Sequence, residues 1–145
     1  MPVVNKSALV THSASEMFNL INDVESYPEF LPWCSSTALL SQSENEMCAE
    51  LEVARIGIRQ KFSTCNTLYP HERIDLQLKD GPFTSLQGSW WITPLREDAC
   101  KVELRLEFEF SGKLINKAFG AVFSQIANTL VDAFCKRADE VYRGG

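Results

Sequence analysis

Lys101 to Phe110 reads KVELRLEFEF, in which Val102, Leu104, Leu106, Phe108 and Phe110 alternate with Lys101, Glu103, Arg105, Glu107 and Glu109. A period of two sends successive side chains to opposite faces of a strand, so one face here is apolar and the other charged. Such a strand belongs to a sheet buried on one side only, and something must cover that side. Residues 113 to 142 supply the cover: Ile115, Ala118, Phe119, Val122, Ile126, Leu130, Phe134, Ala138 and Val141 recur at steps of three and four, one face of a helix. At 1.5 Å per residue that helix is about 45 Å long. A one-sided sheet followed by a long amphipathic helix predicts an α+β arrangement with the helix laid across the sheet.

Working towards the N-terminus, residues 35 to 110 read as strands parted by turn signals: SENE at 43–46, Ile56-Gly57-Ile58, Pro70-His71, Asp80-Gly81-Pro82 and Arg96-Glu97-Asp98. Their close spacing predicts antiparallel hairpins. Residues 3–11, VVNKSALVT, suit a first strand at a sheet edge. Ser13 and Glu16 then form a capping-box pattern, and Met17, Leu20, Ile21 and Val24 follow at helical spacing, so a short helix is predicted over about residues 14–23. Next comes YPEFLPWC, Tyr27 to Cys34, with two prolines, three aromatics and a leucine in eight residues. Pro28 and Pro32 each lack an N–H and restrict the residue before them, so this apolar stretch is a broken helical turn or loop. The predicted order is one strand, short helices, six antiparallel strands and a long helix, making a curved sheet of about seven strands. One helix cannot fill a strongly curved sheet along its whole length, so a cavity between the two is the functional candidate.

The 145 residues suit one domain with a sizeable core, and 45% hydrophobic with 23% charged residues is ordinary globular usage. A net charge of -5 gives no global attraction to nucleic acid or an anionic membrane, and DNA is not expected as a partner. No apolar run is long enough to span a bilayer, and the N-terminus has neither signal-peptide nor transit character, which predicts a cytosolic protein. Five cysteines, Cys34, Cys48, Cys65, Cys100 and Cys135, lack CxxC or CxxH spacing, so buried free thiols are expected rather than disulfides or a zinc site. His12 and His71 lie in different segments and are expected in solvent. No HExxH, GxSxG, P-loop or GxGxxG pattern occurs, and Glu50/Glu52 and Glu107/Glu109 read as a wetted sheet face rather than an acid–base pair. No enzyme is predicted.

YPEFLPWC after the first helix, DGPFTSLQGSWW at Asp80 to Trp91, and the C-terminal amphipathic helix together resemble the coenzyme Q-binding, START-like family of the polyketide cyclase/START superfamily, in particular its bacterial ribosome-association branch. The resemblance runs along essentially the whole chain. It matches Tyr27, Pro28, Phe30, Leu31, Pro32, Trp33 and Cys34 in the first motif, and Asp80, Gly81, Pro82, Phe83, Leu86, Gly88 and Trp90 in the second. It implies a helix-grip fold with a lipid-sized cavity, no cofactor, and a hydrophobic ligand such as a polyprenyl quinone (ubiquinone) handled for respiration. Its ribosome-associating members imply an alternative, in which the chain binds the large ribosomal subunit, blocks association with the small one, and answers to an antitoxin. Bacterial cytoplasm is the implied location, with transient contact at the inner membrane.

Strand parity puts Leu86, Gly88, Trp90 and Ile92 on one face and Trp91 on the other. The ligand-contacting candidates are then Phe30, Leu31, Trp33, Phe83, Leu86, Trp90, Leu104, Leu106, Phe119, Val122 and Phe123; Phe83, Leu86 and Trp90 read equally well as plain core. Phe30, Leu31 and Trp33 form either a stiff lip at the cavity mouth or a staple closing the core. For the ribosome, the candidates are Arg55, Arg59 and Lys61 around the Gly57 turn and Lys113 and Lys117 at the start of the long helix, charges that read equally as solubilising.

Overall fold

The structure, a computed structural model, describes residues 3–55, 57–110 and 113–142, of which 113–118 by backbone alone. The chain order is β1 (Val3–Val10), α1 (Ala14–Asn22), a 3-10 turn (Val24–Glu29), β2 (Cys34–Gln42), β3 (Glu46–Arg55), β4 (Ile58–Tyr69), β5 (Arg73–Asp80), β6 (Phe83–Arg96), β7 (Ala99–Phe110) and α2 (Lys113–Val141). The capping box forms as its sequence predicts: the Glu16 amide donates to Ser13 Oγ at 3.1 Å and the Ser13 amide to Glu16 Oε1 at 3.0 Å. Pro28 sits within the 3-10 turn, where α1 has already stopped.

The strands make one seven-stranded antiparallel sheet in the order β1-β7-β6-β5-β4-β3-β2. β2 to β7 run as a meander of hairpins, whereas β1 leaves its chain neighbours and pairs with β7, from Val3 opposite Glu107 to Val10 opposite Cys100. The first strand is therefore an edge, as expected. Register shifts interrupt the ladders near Ser36, Ser41, Thr64, Ser85 and Arg96. Such irregularities bend a strand and increase its twist, which curves the sheet around the helix. The helix-grip architecture implied by the resemblance is present.

Alternation in β7 works as its sequence dictates, with Val102, Leu104, Leu106 and Phe108 buried against the helix. Phe119, Val122, Phe123, Ile126, Ala127, Val131, Phe134 and Ala138 form the buried face of α2. The apolar stripe ends one turn earlier than its spacing predicts, because Val141 is exposed. Tyr142 closes that end instead, its hydroxyl donating to the Glu16 carbonyl at 3.0 Å. Ile115 and Ala118 of the stripe lie outside the described side chains.

Two sequence expectations fail. Cys48 and Cys65 form a disulfide rather than remaining free thiols. The β3–β4 hairpin pairs Arg55 with Ile58 and so sets residues equidistant from that pair opposite each other, Cys48 and Cys65 among them. Pairing register, not linear spacing, brings them together. Cys34, Cys100 and Cys135 remain free. Closing a 17-residue separation costs the unfolded chain entropy worth about 3 kcal/mol. We therefore expect reduction to lower unfolding stability by that order, read as a shift in urea midpoint with and without a thiol reductant; identical midpoints would show that the link does not hold the fold. His12 is the second correction: it is buried, with Nε2 2.7 Å from Asp139 Oδ1 and its ring beside that of Tyr142. The end of β1 and the last turn of α2 meet there, a juxtaposition no local pattern reveals. His71 is exposed at its turn, with its ring edge-on to Phe18.

Candidate functional site

Between the sheet and α2 lies a cavity of about 100 Å³. Its floor comes from alternate residues of neighbouring strands: Met47, Ala49 and Leu51 of β3, Phe62, Thr64 and Asn66 of β4, Leu76 of β5, Leu86 and Trp90 of β6, and Leu106 of β7. Strand parity is what lines up such a set. α2 forms the roof with Phe123, Ile126, Ala127, Leu130 and Phe134, and Val24, Tyr27 and Trp33 close one end.

Five of the sequence candidates, Trp33, Leu86, Trp90, Leu106 and Phe123, thus line the cavity. Leu31, Phe83, Leu104, Phe119 and Val122 are buried but lie outside its wall. The aromatic packing explains part of this division. Phe83 lies 5.0 Å from Phe123, 5.1 Å from Phe110 and 5.7 Å from both Phe62 and Phe119, ring centre to ring centre. Phe108 joins through Phe123 at 4.9 Å. Phenylalanines fill one end of the space between sheet and helix with each other, in the offset and edge-to-face arrangements such rings prefer. Phe62 and Phe123 form the boundary, and the open volume lies beyond them.

The YPEFLPWC stretch divides its work between residues. The Leu31 amide donates to the Tyr27 carbonyl at 2.9 Å, the Cys34 amide to the Leu31 carbonyl at 3.0 Å, and the Ala54 amide to the Trp33 carbonyl at 2.8 Å, which ties the loop to β3. Leu31, 1% exposed, is buried in the core. Tyr27 and Trp33 face the cavity. Phe30 sits half-buried on the outer side, its ring 5.4 Å from Phe134 and covered by the Arg137 guanidinium at 5.1 Å. Arg137 is held there by Glu29, at 2.9 Å.

Little of the wall is polar. The Tyr27 hydroxyl donates to the Ile21 carbonyl, and burial raises its pKa, so the phenol stays neutral. Behind it, burial pushes the Cys34 thiol up to about 11. Among the described residues, none of the lining side chains carries a charge. Beside the indole N–H groups of Trp33 and Trp90, Thr64 and Asn66 are the other polar members, and sequence reading missed them, although Phe62, Thr64, Asn66 and Leu68 form an i, i+2 series whose middle is polar while its ends are apolar. Asn66 is 8% exposed and its Oδ1 has no hydrogen-bond partner among the described residues, a situation that costs about 1–3 kcal/mol. The site can bind an apolar molecule. Among the described residues its lining holds no charged group with which to run acid–base chemistry.

Three of the basic candidates, Arg55, Arg59 and Lys61, sit on the β3–β4 hairpin. Arg59 Nη1 is 2.7 Å from Glu52 Oε1, which also accepts from Ser35 Oγ at 2.6 Å. The Ser35 hydrogen bond chiefly, with Arg59 beside it, holds the Glu52 carboxyl below the usual range. Arg55 is half-buried and Lys61 exposed on the same hairpin, while the side chains of Lys113 and Lys117 lie outside the described residues. On the opposite face of the sheet from the cavity, Arg73 is sandwiched between the exposed rings of Tyr69 at 4.2 Å and Trp91 at 4.8 Å. Trp91 therefore points away from the cavity, as parity requires.

Residues 10–135 match the family described as polyketide cyclase / dehydrase and lipid transport. The chain is 53% identical over 142 residues to the ribosome association toxin RatA of Vibrio cholerae, covering 98% of this chain and 99% of that one. It is 48% identical to the protein of the same name in Pseudomonas aeruginosa, over 96% of both chains. Identity to the mitochondrial coenzyme Q-binding protein COQ10 homolog B of Xenopus laevis is 27%, over 95% of this chain and 58% of that protein. In fold it resembles the Zhui aromatase/cyclase from Streptomyces sp. R1128, with a TM-score of 0.85 at 16% identity, over 99% of this chain and 96% of that one. By sequence along most of its length, and with the sheet, helix and enclosed cavity that go with it, this chain belongs to the polyketide cyclase / dehydrase and lipid transport family, on the branch that contains the RatA proteins.

Proposed function

We propose that this chain is a ribosome association toxin of the RatA kind: a cytoplasmic, non-catalytic protein that binds the large ribosomal subunit, keeps it from joining the small one, and is held in check by an antitoxin. The observation that carries the reading is the identity of about half of all residues to two RatA proteins, along nearly the full length of each. The ribosome is a phosphate-rich partner, and the net charge of -5 means that attraction must come from a local patch. The β3–β4 hairpin, with Arg55, Arg59 and Lys61, is the patch we nominate. In a sucrose gradient, excess protein should move joined ribosomes into free subunits, and the effect should weaken as salt rises because counterions compete for phosphate. Lys61→Glu combined with Arg59→Glu should weaken it at fixed salt. An unchanged gradient at excess wild-type protein would overturn the reading.

The cavity supports a hydrophobic ligand beside this role. Similarity to a coenzyme Q-binding protein favours a quinone headgroup, and a volume of about 100 Å³ suits a single ring better than a long isoprenoid tail. Extraction of the purified protein into organic solvent and mass spectrometry would identify such a ligand.

A further inference from the structure

Hydrocarbon does not account for the β4 part of the cavity wall. Asn66 stands opposite Met47 of β3 and Leu76 of β5, and Thr64 opposite Ala49 and Leu78. Above them α2 offers Phe123, Ile126, Ala127 and Leu130. None of these side chains can donate a hydrogen bond to the carboxamide oxygen, and only the Met47 thioether is even a weak acceptor for its nitrogen. Asparagine is also a poor strand residue, and a leucine or valine would fit the surroundings better. Asn66 therefore opposes folding where it sits. Groups that break the local rule without a structural return mark functional positions.

We propose that Asn66 is the polar anchor of a binding site for a small, neutral, apolar molecule carrying a hydroxyl group, such as an alkylphenol or the hydroxyl form of a reducible ring. The proposal rests on the cavity as a hydrophobic-ligand site and is independent of ribosome binding. The chemistry follows from the amide. Its oxygen lacks a donor among the described residues, which the ketone oxygens of a quinone cannot supply and the hydroxyls of its reduced form can. A carboxylate or ammonium would bring a charge into a wall with no countercharge, a costly transfer. A hydroxyl supplies the donor and remains neutral. The cavity volume of about 100 Å³ sets the size at one ring with short substituents.

The test compares 4-methylphenol with toluene, which differ by that hydroxyl, binding to the wild-type protein and to Asn66→Leu in calorimetric titrations. Wild-type protein should bind 4-methylphenol at least as tightly as toluene, even though the phenol is harder to remove from water. The variant should lose about tenfold in affinity for 4-methylphenol, the size of a lost hydrogen bond in a dry site. Its affinity for toluene should stay the same or rise, and its melting temperature should not fall. Equal losses for both probes, or none, would overturn the anchor. If Asn66→Leu does not fold, the wild-type comparison still decides: toluene binding without 4-methylphenol binding removes the anchor and leaves the cavity reading intact. Binding of neither removes both.

Discussion

Gly88→Ala should destabilise the protein by about 3 kcal/mol or more, and Gly88→Val should prevent folding. A Cβ placed on Gly88 would lie 2.2 Å from the Arg105 carbonyl oxygen and 2.9 Å from Leu106 Cα. Both are main-chain atoms of β7, the strand in register with β6 at this point. A clash with the tip of a side chain is relieved by a rotamer change; one with the backbone moves a strand. β7 cannot move cheaply, because β1 hangs on its other edge and its inner face is buried. For a chain of this size the alanine variant should melt about 10 °C lower. A urea midpoint equivalent to within about 0.5 kcal/mol of wild type would show that the two strands have room to part. The second sequence motif thus needs its glycine for the approach of a neighbouring main chain, a requirement that strand parity does not reveal.

Phe134→Ala should cost about 4 kcal/mol, within the range for a buried aromatic truncated in a core. Phe134 is 1% exposed and its ring meets Tyr27 at 5.4 Å, Phe30 at 5.4 Å and Trp90 at 5.3 Å. It joins the helix to the loop and to the sheet, so its loss loosens three elements together. Because Phe134 also lines the cavity, the new void merges with the existing one. Benzene should then restore part of the lost stability, as a ligand bound only by the folded form does. Phe30→Ala makes the internal contrast: half-buried and outside the wall, it should cost about 1 kcal/mol and leave uptake of apolar probes unchanged. A loss below about 1 kcal/mol at Phe134 would mean that the helix does not depend on this contact. Equal losses at both positions would mean that the loop acts as a single staple.

The elements were legible because each rests on a local signal. The β7 alternation, the Ser13–Glu16 box and the turn residues all act within a few positions of one another, and the structure places them where those signals do. What escaped the sequence is non-local. Cys48 and Cys65 meet through hairpin register, and His12 meets Asp139 across 127 positions. The cavity residues were half legible for a related reason. Inward-facing positions can be read by parity, yet parity does not say which of them fill one another's space. Phe83 and Phe119 point inward and are consumed by the phenylalanine cluster. Thr64 and Asn66 also point inward, and were passed over because polar residues in a strand are ordinarily assigned to the wet face.

Pairing of the first strand with the last one sets when this protein can exist. While the chain is being made, Val3–Val10 has no partner until Cys100–Glu107 has left the ribosome. Contacts so distant in sequence form slowly. The concave face stays without its cover for longer still, because α2 follows β7 in the chain. A chain whose first strand and helix have not yet met therefore lacks both the closed sheet edge and the enclosed cavity, and the two arrive together at the end of folding.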